Sequence, residues 1–304
     1  MTRRPQIALL PDGRRLHLQD GPIDLVIEAW GDPAEVEIAY AAAAESLTGL
    51  LDRLCDELPE LRRRAAARFP CLKGVVARRM HAAVAPFADT HFITPMAAVA
   101  GAVAEDVLGA MTQAATLRRA YVNNGGDIAL HLAPGQRFAV GLIAHVDPPT
   151  LIGRAVIDAG SCVRGIATSG RHGRSFSLGI ADAVTVLART AAQADAAATM
   201  IANAVDLPGH PGIVRVPARD IQPDSDLGER LVTRAVARLT RSEVTTALES
   251  GAAYARELLS RGLIDGAALC LLGETRIVAP SCSQTFDLSH SRATIAPTGN
   301  LIDA

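Results

Sequence analysis

Asp195 and Thr199 stand four residues apart in the stretch 190–203, Thr-Ala-Ala-Gln-Ala-Asp-Ala-Ala-Ala-Thr-Met-Ile-Ala-Asn. Thr190 with Gln193 three residues later makes a capping box, which predicts that a helix begins here. Within that helix the spacing stacks the carboxylate and the hydroxyl on one face, one turn apart. Two oxygen donors so arranged, near a helix N-terminus, can hold a hard cation or a phosphate-bound metal. The alanines from Ala194 to Ala198 leave room for a bulky ligand against the backbone. The same residues also read as a small-sided helix packed on a sheet, with Asp195 serving first-turn amides.

Two glycine-containing segments carry further candidate chemistry. Asn123-Asn124-Gly125-Gly126-Asp127 has paired glycines that supply positive φ for a sharp turn. It reads either as a plain hairpin turn or as backbone approaching a phosphate or a ring, with Asp127 nearby. Thr168-Ser169-Gly170, followed by Arg171, His172 and Arg174, reads as a polar loop or as an anion cradle. No adjacent Ser/His/Asp arrangement gives His172 a proton-transfer role, and no catalytic residue is assigned.

The elements that must position these groups follow from patterning. Residues 15–19 and 23–29 alternate around Asp20-Gly21-Pro22 and predict a hairpin. Residues 34–58 predict a helix with Leu47, Leu50, Leu51, Leu54 and Leu58 on one face. Thr94 as cap and Pro95 at the first position start another, very small-sided helix, whose N-terminal amides form an anion site candidate. Strands are expected at 128–132, 138–145, 150–157, 183–188 and 213–216. Helices are expected at 227–239 and 242–261, then a hairpin of 267–272 with 275–278. Hairpin signals outnumber βαβ crossovers. The expectation is an α+β fold with helices packed on a mostly antiparallel or mixed sheet. A single domain should occupy 1–280, with a polar, irregular tail at 281–304.

Composition narrows the function classes. The chain has 304 residues, a formal net charge of -2, 49% hydrophobic and 3% aromatic residues. Few aromatics argue against base-stacking nucleic-acid modules, and the balanced charge gives no field for phosphate backbones. Five scattered cysteines without metal-binding spacing fit reduced thiols, hence a cytoplasmic location. The most apolar stretch, 95–111, is interrupted by Glu105 and Asp106, which argues for a core helix and against a membrane span.

In fixed order, Asn123-Asn124-Gly125-Gly126-Asp127-Ile128, Ala167-Thr168-Ser169-Gly170 and Ala194-Asp195-Ala196-Ala197-Ala198-Thr199 resemble the core of the ApbE-like superfamily. Its best-known members are flavin transferases. Residues 95–105, Pro-Met-Ala-Ala-Val-Ala-Gly-Ala-Val-Ala-Glu, resemble a compact branch of it found in archaea and bacteria. The resemblance covers roughly residues 10–280. It implies a cleft for FAD with Mg2+ against the pyrophosphate, Asp195 and Thr199 as metal ligands, and a cleft lining of Asn124, Gly125, Gly126, Asp127, Thr168, Ser169 and Gly170. The transferases move FMN to a threonine of a target protein. Here their histidine and Asp-Pro-x-Thr-Gly segment is absent: only twelve residues separate Gly170 from Ala183. Ala100 also stands where transferases have a lysine. These departures argue against protein flavinylation and leave two implied roles, FAD binding and Mg2+-assisted hydrolysis or transfer on a phosphorylated small molecule. A non-catalytic flavin- or nucleotide-binding module, and a small-molecule enzyme reusing the cleft without flavin or metal, are the alternatives. A homodimer would cover apolar surface left by such compact helices.

Overall fold

The computed structural model describes residues 5–66, 71–146, 149–280, 286–287 and 302–303. The chain opens with strands β1 (Gln6–Leu9), β2 (Leu16–Asp20) and β3 (Ile23–Gly31). Helices α1 (Pro33–Leu47), α2 (Leu50–Asp56), α3 (Leu58–Leu61) and α4 (Val75–Val84) follow. After a short 3-10 turn, Pro95–Ala98, comes α5 (Val99–Ala114). Strands β4 (Leu117–Asn124), β5 (Asp127–Leu132), β6 (Arg137–Val146), β7 (Pro149–Asp158), β8 (Gly165–Ser169) and β9 (Ala183–Ala188) lead to α6 (Ala191–Ala204). Then come β10 (Ile213–Pro217), α7 (Ala218–Ile221), β11 (Leu231–Val236), α8 (Arg241–Ser260), β12 (Gly266–Leu271) and β13 (Glu274–Val278). Two short strands, β14 (Phe286–Asp287) and β15 (Ile302–Asp303), pair with β7 and β6. The rest of the expected tail at 281–304 lies outside the described residues.

The chain divides into two compact units. The first takes Met1–Gln136, Cys162–Ala167 and Arg189–Ala196; the second takes Arg137–Ser161, Thr168–Ala188 and Ala197–Ala304. Strand β8 and helix α6 each contribute residues to both.

In the first unit β1 to β5 run antiparallel, each bonded to the next, and β8 adds to β5 with Ile166 opposite Ile128. The expected hairpin forms as β2–β3 around Gly21, whose φ of 58° lies in the left-handed region. Alternation turns Leu16, Leu18, Leu25 and Ile27 inward. Burying each of these side chains contributes about 1.5–3 kcal/mol. Helices α1 and α5 pack on this sheet, and α4 packs on α5. The helix expected over 34–58 is cut into α1, α2 and α3. Gly49 takes φ 69° and ends the first run, while Leu47, Leu50 and Leu54 keep their inward face. At its start, Asp32 accepts the Ala34 amide at 3.0 Å.

In the second unit β12 pairs antiparallel with β9 on one side and β13 on the other. Every residue of β9 is buried, as its apolar run predicts. Helix α8 packs on β12 and β13 and begins with a full capping box between Thr240 and Glu243. Strands β6 and β7 form a second antiparallel pair. The helix expected over 227–239 is a strand instead: β11 pairs with β10 from Leu231–Pro217 to Val236–Ile213. Val232, Thr233 and Val236 are β-branched, and the available partner strand overrides the helical spacing of the leucines. Among the described residues no helix is long and apolar enough to cross a membrane.

Candidate functional site

The first unit builds its polar site where α5 and α6 begin. Gly101 lies in the first turn of α5, and a Cβ there would stand 2.3 Å from the Ala191 carbonyl oxygen. A Cβ on Gly165, in β8, would stand 2.1 Å from the Thr190 carbonyl oxygen. Two glycines therefore let the start of α6 come into backbone contact on either side. The Thr190 half of the expected capping box is present, with its hydroxyl accepting the Gln193 amide at 3.2 Å.

The remaining orphan amides are shared between the helices. Glu105 of α5 accepts the Ala192 amide of α6 at 2.7 Å. Asp195 of α6 accepts the Gly101 amide of α5 at 3.0 Å, and the Ala100 amide also donates to it. Each helix thus supplies an acid to the positive end of the other. The first-turn amides served by Asp195 belong to α5, and the α5 N-terminus expected to be open to an anion is partly filled by this carboxylate. Thr94 makes no side-chain cap; a 3-10 turn takes up that entry.

The β4–β5 turn closes against the same place. Asn124 stands opposite Asp127, and Gly125 and Gly126 take φ of 67° and 113°. The Gly126 amide donates to the Asn123 side chain at 2.8 Å. Buried Asn124 donates its Nδ2 to the Ala100 carbonyl at 3.2 Å, which fixes the turn to the start of α5. Burial, and then the like charge of Asp127, push the Asp195 carboxyl well above the usual carboxylate range, while the Gly101 and Ala100 amides pull it down. Asp127 and Asp195 both remain partly exposed. Asn124, Gly125, Gly126, Asp127 and Asp195 are thus brought together within one unit.

Thr168, Ser169, Gly170 and Thr199 belong to the second unit. Thr199 is partly exposed on α6, one turn beyond Asp195. Thr168 is exposed, with its hydroxyl 2.9 Å from that of Thr185. A Cβ on Gly170 would stand 2.3 Å from the Asp182 carbonyl oxygen. Asp182 accepts from Arg171 Nε at 2.9 Å and from the Leu272 amide at 2.5 Å. His172 Nε2 lies 3.3 Å from it. The Arg171 charge, expected to face an anion, is held by this buried acid.

Glu105 and Asp182 are the acids that sequence reasoning left without a role. Each directly follows an apolar run, Ala102-Val103-Ala104 before Glu105 and Ile180-Ala181 before Asp182. An acid so placed is a sign of a specific internal partner.

The donor set at Asp195 and Asp127 is hard oxygen. No group of three His, Cys, Asp or Glu residues able to hold a metal occurs among the described residues. Such a partial set suits Mg2+, which is commonly held by one or two carboxylates and completes its shell with water and phosphate oxygens.

The chain is similar to a UPF0280 protein of Methanopyrus kandleri, 42% identical over 128 residues, covering 42% of this chain and 48% of that protein. It is 37% identical over 131 residues to a UPF0280 protein of Methanothrix thermoacetophila, covering 43% and 52%. A UPF0280 protein of Methanosphaerula palustris is 40% identical over 114 residues, covering 37% and 47%. The chain spans about half the length of these curated relatives. A far longer match, over residues 7–277, is to the family described as "AbpE bacteria", and the chain belongs to that family.

Proposed function

We propose that this protein binds a flavin nucleotide, or another phosphorylated small molecule, together with Mg2+ beside the first turn of α5. Asp195 and Asp127 supply the carboxylate ligands, and phosphate oxygens and water complete the shell. The observation that carries this reading is the apposition of two partly exposed acids, one with its proton held abnormally tightly. A divalent cation relieves that repulsion and lets both acids ionise. When bound, Mg2+ polarises phosphoryl oxygens, the chemistry that hydrolysis or transfer at a pyrophosphate needs. The resemblance to flavin transferases makes FAD the first ligand to test, and the missing histidine segment argues against flavin transfer to protein. The proposal includes a cytoplasmic homodimer, and light scattering of the pure protein reads the oligomeric state.

Mn2+ in place of Mg2+ reports the site by electron paramagnetic resonance, with ADP supplying the pyrophosphate. Wild type immobilises the ion. Asp195→Asn and Asp127→Asn should each weaken it roughly tenfold or more, the effect of removing one charged ligand. Equal binding by all three proteins contradicts the reading.

A second reading is favoured by the Gly101–Asp195 hydrogen bond itself. There Asp195 is only the cap that joins two helices, and the protein holds its nucleotide without a metal. Asn keeps an acceptor for the Gly101 amide, so Asp195→Asn would then bind nucleotide as wild type does, with or without Mg2+.

A further inference from the structure

We propose a second ligand site in the first unit, for a small amphiphile with a short apolar body and an anionic head, in the pocket between α2, the chain entering α4, and α5. The pocket has a volume of about 280 Å3, at the small end for ligand sites. None of Asp195, Asp127 and Asn124 lines it, so it is separate from the site proposed above.

The pocket wall is apolar. Leu50 and Leu54 of α2 meet Val76 and Ala77 of α4 there, and all four are otherwise buried. Val75 lines it too and is 56% exposed, so the apolar surface runs from the core out to solvent. An apolar body lying on this wall covers Val75 as well and removes that surface from water. The volume suits a short chain rather than a second protein helix, whose diameter is about 10 Å.

The charge of the head follows from which lining groups are already engaged. Two acids line the pocket, Glu57 and Asp106, and both have partners in the protein. Glu57 accepts the Lys73 amide at 2.6 Å and the Gly74 amide at 2.8 Å, where the positive end of α4 balances its charge. Asp106 accepts Arg79 at 3.1 Å. Two cations line it as well, Arg53 and Lys73, and neither makes an ion pair among the described residues. Arg53 gives one N–H to the Thr48 carbonyl at 3.3 Å, and a guanidinium carries five donors. The Lys73 ammonium carries three more. An apolar wall flanked by a guanidinium and an ammonium, with its own acids satisfied, selects a carboxylate or phosphate joined to a hydrocarbon body.

The test uses the whole protein in EDTA at low salt, titrated with octanoate and separately with octyl phosphate, both below micelle-forming concentrations. Calorimetry and the thermal unfolding midpoint follow binding. At least one of the two should bind wild type and raise the midpoint, as any ligand selective for the folded state does. A response to octanoate indicates a carboxylate head, and a response to octyl phosphate a phosphorylated one. Octanol, the same chain without the charge, should bind roughly tenfold more weakly or worse, and Arg53→Gln and Lys73→Gln should each weaken the anion roughly tenfold. Val75→Asp is suited to the first turn of α4 and should keep the ligand-free midpoint, yet it sets a like charge at the apolar wall and should weaken binding. FAD with Mg2+ should not displace the anion, which separates this site from the one proposed above. The proposal is overturned if wild type binds neither octyl anion, if octanol binds as tightly, if Lys73→Gln and Val75→Asp both bind as wild type, or if FAD with Mg2+ displaces the anion.

Discussion

The Asp195 carboxylate of α6 accepts the Gly101 amide of α5 at 3.0 Å, across 94 positions of chain. The bond depends on a missing side chain, because only glycine at 101 lets α6 come so near. It also leaves the acid partly exposed beside Asp127. One contact thus joins a packing requirement to a candidate ligand site.

The packing half of that relationship has a direct expectation. Gly101→Ala drives a methyl against the Ala191 backbone, and Gly165→Ala drives one against Thr190. Neither obstacle is a flexible side chain that can turn away. Each substitution should lower stability by about 2–3 kcal/mol, at the upper end of the usual range for overpacking. Urea unfolding measures it; a loss below about 0.5 kcal/mol, the size of an ordinary surface change, would show that the helices separate freely.

The electrostatic half appears as a pH dependence. The folded protein holds the Asp195 proton more tightly than the unfolded chain does, because burial and Asp127 raise its affinity. Stability therefore falls as pH rises from the ordinary carboxylate value of 3.8 toward the raised folded value. Asp195→Asn removes that loss. The metal-free variant should be more stable than wild type at neutral pH, and the gap should close as the pH approaches 3.8. Thermal unfolding of both proteins between pH 4 and pH 8, about the range set by ordinary carboxylate behaviour, reads the difference. A gap that widens on acidification would contradict the assignment.

Much of this architecture is legible in the sequence, and the limits are physical. Asp20-Gly21-Pro22 between alternating runs marks β2–β3, and the apolar run 183–188 marks β9, because these signals are local. The break of the first helix at Gly49 is not legible, since one glycine within a leucine-spaced face is weak against the periodicity. At 227–239 the leucine spacing suggested a helix, while the pairing of β11 with β10 depends on a distant strand. At the site, Asp195 and Asp127 were visible as residue types in turn and helix contexts. That Asp195 caps α5, and that Glu105 caps α6, could not be read, because both partners lie some ninety positions away.

The cysteines give a check on the second unit's interior. Cys270 is buried beside Asp182; burial, then that charge, push its thiol up to about 11. Cys55, Cys71 and Cys162 are exposed. Iodoacetamide at mildly alkaline pH should label those three roughly a hundredfold faster than Cys270, because only the thiolate reacts. Peptide mass mapping follows the labelling. Equal rates at Cys270 would mean that β12 opens readily.

The claim that two opposed acids serve a ligand is tested most directly by calorimetric titration of FAD into wild type and Asp195→Asn, each with Mg2+ and with EDTA. Mg2+ should tighten FAD binding to wild type by roughly tenfold or more, the scale of one charged ligand contact, and leave the variant's binding unchanged. If FAD and ADP bind neither protein, or bind both with the same affinity whether or not Mg2+ is present, Asp195 is a helix cap and no more.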